Sequence, residues 1–143
     1  MAKPNESDVL ESAITLVEAT LALDILDRHK RDVINGMLWS ITQARGKYTT
    51  RFRSIEAMIA RQGAKLQHEH VIPRKELIEA IMGEPHRARE LLTTAIACTV
   101  TVAEHRRLTA ISRKKPDLKG WSRYEAAGIV WHDTDECEKE PEP

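Results

Sequence analysis

Apolar residues recur at helical spacing from Val9 and Leu10 through Ala13, Ile14, Leu16, Val17, Leu21, Ile25 and Leu26. That pattern predicts one long amphipathic helix over about 7–29. Ser7 is the expected cap, with Asp8 and Glu11 in a first turn where acids suit the helix dipole. The apolar stripe is wide. It has to pack against the rest of the domain or against a second copy, so a homodimer through this helix is one expected assembly. Further along, Leu38–Thr42 and Lys47–Arg53 are rich in β-branched and aromatic residues and flank Gly46, which predicts a hairpin. Its Trp39, Tyr48 and Phe52 are expected in the core. Ser54 then caps a short helix from Ile55 to about Gln62, closed by Gly63.

From Leu66 to Ile72 apolar and polar residues alternate up to Pro73, the pattern of a short strand. Two helices, 74–82 and about 85–96, are separated by Gly83-Glu84-Pro85. Residues 97–102 read as β, and a helix begins at Ala103. A basic loop, 113–117, leads to a short helix that Gly128 stops, followed by a last strand. Trp121 and Tyr124, three apart on that helix, read as core packing in preference to a platform for stacking bases. The whole predicts an α+β fold dominated by helices, with a small β element. A single domain spans 1–132, and the acidic residues 133–143 form a disordered tail.

The 143 residues suffice for one domain with a real core, and 41 % apolar against 31 % charged is a soluble balance. No apolar run is long enough to span a membrane, and Met1–Ser7 lacks the apolar centre of a signal peptide. Cys98 and Cys137 stand far apart and make no disulfide framework, so a reducing cytoplasm is the expected compartment. The net charge of zero conceals an asymmetry. Residues 1–27 and 133–143 each carry one Lys and six acids, which leaves 20 bases against 10 acids in 28–132. A basic centre between acidic ends suits a polyanionic partner, although a solvated Arg-rich surface gives the same tally.

Candidate chemistry gathers at His68-Glu69-His70 and at Glu104-His105. On a strand, His68 and His70 face one side and Glu69 the other. Glu104 and His105 open a helix directly after a strand. Carboxylate oxygen with imidazole nitrogen is a donor set for a divalent metal. The same residues also read as hydrogen-bonded surface pairs, and spacing alone leaves both readings open. The pattern is not the helical His-Glu-x-x-His of a zinc protease, and no Cys-x-x-Cys pair supports a structural zinc.

Glu69-His70-Val71-Ile72-Pro73 resembles the first motif of HNH, or ββα-metal, endonucleases: an acid, a His, two apolar residues and Pro. The strand 97–102 followed by Glu104-His105-Arg106-Arg107-Leu108 resembles that family's second strand and helix with its closing His. The resemblance covers about 66–130. It implies an HNH-like ββα core and a nuclease that hydrolyses DNA with Mg²⁺ or Mn²⁺, zinc being less suited. In that family His70 would be the general base. Glu69 and His105 would be metal ligands, with Glu104 or His68 as further ligands. Arg74, Lys75, Arg106 and Arg107 would hold phosphates. The family's middle Asn has no counterpart, since Asn5 and Asn35 both lie upstream. Two other readings therefore stand beside the nuclease: a catalytically inactive nucleic-acid-binding or regulatory protein on the same fold, and a protein-binding module assembled through the N-terminal helix.

Overall fold

The structure is a computed structural model and describes residues 4–137. It is α+β and predominantly helical, with one four-stranded sheet. Contacts fall into two compact units, residues 4–45 with 72–96 and residues 46–71 with 97–137. Among the described residues no helix is long and apolar enough to cross a membrane.

The first unit is helical. Its helices are α1 (Glu6–Leu21), α2 (Asp27–Thr42), α4 (Arg74–Gly83) and α5 (Ala88–Thr93), with a 3-10 turn at Pro85–Arg87 before the last. The single N-terminal helix expected over 7–29 is in fact two. Asn5, not Ser7, caps α1: its side chain accepts from the Asp8 amide at 2.8 Å, and Asp8 answers in a capping box. The helix ends at Leu21, whose carbonyl takes a hydrogen bond from Lys30 Nζ at 3.0 Å. Asp24 would oppose the dipole at a helix C-terminus, whereas Asp27 suits the first turn of α2. Ile25 and Leu26, which extend the stripe in the sequence, are exposed.

The hairpin expected over 38–53 is also absent. Leu38–Thr42 closes α2, because Ile34, Leu38 and Thr42 form a buried stripe at i, i+4, i+8. That stripe outweighs the β propensity of the same residues. Tyr48 is not in the core; it is exposed, with a left-handed φ of 68°. The core of this unit joins Ile14 and Val17 of α1 with Ile34 and Leu38 of α2, Leu77 and Ile81 of α4, and Leu92 of α5.

The second unit holds the sheet, in the order β2-β3-β1-β4: β1 (Phe52–Ser54), β2 (Leu66–His70), β3 (Ala97–Thr101) and β4 (Trp131–Asp133). β2 and β3 are antiparallel, with Glu69 opposite Cys98; β3 and β1 are parallel; β1 and β4 are antiparallel. The helices are α3 (Ile55–Ile59), α6 (Val102–Lys114), α7 (Trp121–Ala126) and α8 (Thr134–Cys137). Ser54 caps α3 as expected, accepting from the Ala57 amide at 3.0 Å. The short helix and the strand read around Gly128 are present as α7 and β4, and Gly128 takes a φ of 70°.

Trp121 stacks on Trp131 with centroids 4.4 Å apart, and Phe52 and Tyr124 meet Trp121 edge-on. The expected packing role of Trp121 and Tyr124 is therefore present. The acidic segment is ordered at its start: Asp133 belongs to β4, takes a two-pronged bond from Arg51 at 2.8 Å, and is followed by the turn of α8. The rest of the expected tail, 138–143, lies outside the described residues.

Candidate functional site

The alternation of β2 divides its three chemistry-bearing residues. His68 and His70 share one face, their rings 5.2 Å apart, and both are buried. Glu69 points to the other face, toward α6. β3 runs antiparallel beside β2 and passes directly into α6, which packs on both strands. This connection brings His105, in the first turn of α6, over Glu69. His105 Nδ1 and Glu69 Oε2 are 2.6 Å apart, with the imidazole half-exposed and the carboxylate more sheltered. The other carboxylate oxygen, Glu69 Oε1, lies 3.5 Å from a guanidinium nitrogen of Arg123.

Arg123 is itself buried, its side chain only 6 % exposed. One nitrogen, Nη2, donates to the carbonyls of His70 and Val71, each at 3.2 Å; the other, Nη1, donates to Ser112 Oγ at 2.9 Å. Nothing in the sequence marked Arg123. An Arg within an aromatic helix, Trp121-Ser122-Arg123-Tyr124, is an arginine placed where burial is expected. That placement is the signal that could have found it.

Glu104 belongs to a different construction. Its carboxylate is 1 % exposed, and Oε1 accepts from Ser54 Oγ, from the Thr101 amide at 2.9 Å and from Thr101 Oγ1 at 3.2 Å. Thr101 in return accepts from the Glu104 amide at 3.1 Å. This is a capping box, readable as Thr101-x-x-Glu104 in the sequence. Glu104, expected as a further metal ligand, thus spends Oε1 on capping donors, and Oε2 lies 3.9 Å from Arg107. His68, on the far face of β2, does not join the Glu69–His105 pair either.

The expected phosphate-binding residues differ in their surroundings. Arg106 is exposed on α6 next to His105. Arg107 lies between acids, 3.3 Å from Glu56 Oε1 and 3.9 Å from Glu104 Oε2. Arg74 and Lys75 belong to the helical unit. There Arg74 lies over the Trp39 ring at 4.6 Å and donates to Asn35 Oδ1 at 2.6 Å, while Lys75 is exposed. Arg113, Lys114 and Lys115 extend the exposed basic surface from the end of α6.

Among the described residues, no three His, Cys, Asp or Glu side chains are grouped to hold a metal ion. The pair Glu69–His105 offers one carboxylate and one imidazole. That set suits a hard divalent ion that keeps several waters and takes few protein ligands, and it does not suit a four-ligand zinc site.

Cys98 sits on the Glu69 face of the sheet and is fully buried. Burial pushes its thiol far above the ordinary range, and the Glu104 and Glu69 carboxylates push it further. Burial likewise raises the Tyr124 phenol. In folded protein at pH 8, Cys98 is expected to resist iodoacetamide until denaturant is added. Peptide mapping distinguishes it from Cys137, and alkylation of Cys98 in the folded state would contradict this. The sign with pH follows from proton binding. The unfolded chain loses the Cys98 proton above about pH 8.5 while the folded chain keeps it, so stability falls as pH rises beyond that point.

Comparison with protein-family models, with curated proteins and with solved structures finds no match.

Proposed function

We propose that this chain is a divalent-metal-dependent nuclease that hydrolyses phosphodiester bonds in DNA. One observation carries the reading: the 2.6 Å approach of Glu69 and His105, from a strand and from the helix that follows its antiparallel neighbour. These are the two residues that the HNH resemblance names as metal ligands. Glu69 and His105 would provide the protein donors for a divalent ion, and such an ion would supply positive charge to the phosphate being cleaved. Arg106, beside His105, offers a guanidinium to a neighbouring phosphate, and Arg113, Lys114 and Lys115 continue that positive surface along α6. By the HNH resemblance alone, His70 would be the group that takes the proton of the attacking water. The water oxygen bonds to phosphorus, the bond from phosphorus to the sugar oxygen breaks, and a proton from solvent completes the new hydroxyl.

The test is nicking of supercoiled plasmid with Mg²⁺, Mn²⁺ or EDTA. Wild-type protein is expected to nick only with metal, while Glu69→Gln and His105→Ala are expected to lose at least about 10²-fold, the scale of a group acting directly in the transition state. Folded protein that never nicks, or variants that nick as well as wild type, would overturn the proposal.

A second reading has its own observation. His70 is 7 % exposed and lies on the opposite face of β2 from Glu69. A base that is sheltered in this way favours a protein that holds nucleic acid without cutting it. This reading expects salt-sensitive DNA affinity that is indifferent to metal and to His70→Ala.

A further inference from the structure

The end of β2 is the place where the two roles separate, since Glu69 and His70 are consecutive and point to opposite faces. Something has to fix the direction of each. The backbone hydrogen bonds of β2 to β3 reach as far as His70 opposite Ala97. Beyond that point the chain leaves the sheet at Val71. The carbonyls of His70 and Val71 are there met by a side chain, the buried guanidinium of Arg123. The same Nη2 nitrogen lies 3.5 Å from Glu69 Oε1. On the other side of the fork, Nη1 is anchored to Ser112 on α6, the helix that carries His105.

We infer that Arg123 is the positioning residue of this site: its guanidinium holds the Glu69 carboxylate toward His105 and fixes the backbone from which His70 projects. The assignment to catalysis rests on the nuclease reading. The assignment to geometry does not.

Three physical points support it. An arginine fork satisfies several acceptors in one plane, which lysine's point charge does not. A guanidinium almost wholly removed from water is costly unless it is partnered; Nη1 and Nη2 of Arg123 have protein acceptors, while Nε has none. With Glu69 Oε1 turned toward Arg123, Oε2 is the oxygen presented to His105. Arg123 touches none of the reacting atoms in this arrangement. It acts through Glu69 and through the β2 backbone, as outer partners of metal ligands do.

The experiment has an arm free of catalysis and an arm of catalysis. In metal-free protein the imidazole Nδ1–H of His105, bonded to a carboxylate at 2.6 Å, is expected as a downfield proton resonance in NMR. It should be absent from His105→Ala and lost or broadened in Arg123→Gln. In the plasmid assay with Mn²⁺, Arg123→Gln is expected to lower kcat per folded molecule by about 10–100-fold with KM for plasmid unchanged. A merely structural arginine would reduce the amount of folded protein and leave kcat per folded molecule alone. A phosphate-contacting one would raise KM.

Ser112→Ala, which frees only Nη1, is the milder variant should Arg123→Gln not fold; it is expected to weaken the same resonance and lower kcat less. Persistence of the resonance in Arg123→Gln, or in Ser112→Ala where only that variant folds, overturns the inference whatever the activity. Loss of the resonance with unchanged kcat overturns its catalytic part and leaves the nuclease reading intact. Wild-type protein that shows the resonance and never nicks overturns the nuclease reading, and the catalytic meaning of Arg123 with it.

Discussion

Replacing His70 by alanine is expected to reduce metal-dependent nicking by about 10²–10⁴-fold, the usual contribution of a positioned general base. DNA affinity should stay within a factor of two. These two expectations belong together. On the nuclease reading, affinity for a polyanion would be carried by exposed Lys and Arg, here Arg106, Arg113, Lys114 and Lys115 on and after α6, and a buried imidazole would add little to it. The residue is buried beside His68, so truncation also costs some stability, and rates have to be expressed per folded molecule from a denaturation curve. A variant that binds and does not cut places the base at His70. A variant that binds and cuts like wild type removes His70 from the chemistry and shifts the proton transfer to another group. His105, half-exposed at the mouth of the pair, is then the next residue to replace.

The regions of the sequence that could be read correctly are those where local pattern and tertiary environment agree. The strand at His68-Glu69-His70, the break at Gly83-Glu84-Pro85, the passage from β3 into α6 and the stop at Gly128 each carry alternation, a breaker or a cap within a few residues. Leu38–Thr42 failed because its β-branched and aromatic composition competes with a longer stripe that only becomes visible when Ile34 is included. The N-terminal helix failed for the opposite reason: apolar residues at 25 and 26 kept the period going through a turn that exposes them to solvent. The Glu69–His105 contact was legible only as two fragments, since the register of β2 on β3 sets the approach and no local pattern encodes it. The aromatic helix around Arg123 signals its burial, but its partners are illegible because they are carbonyls 52 and 53 residues away.

Glu104→Ala is expected to destabilise the sheet-bearing unit by about 3 kcal/mol, combining a lost helix cap with buried donors left unsatisfied. Ser54 Oγ, the Thr101 amide and Thr101 Oγ1 all converge on one carboxylate oxygen that is shut off from water. With that oxygen removed, the start of α6 frays, and with it the turn that carries His105. Nicking should therefore fall in this variant too, in proportion to the unfolded or frayed fraction. Glu104→Gln separates this account from a metal-ligand role. Glutamine keeps an acceptor at the same place and is an accepted partner in a capping box, so its expected cost is below about 1 kcal/mol, with metal-dependent activity largely retained. A metal ligand would give the same small stability cost with glutamine but would lose both activity and Mn²⁺ binding. Urea denaturation and a Mn²⁺ titration on the two variants decide between these patterns. The cap predicts that stability orders the variants and that metal affinity follows it. The ligand predicts that metal affinity is lost in both, however stable they are.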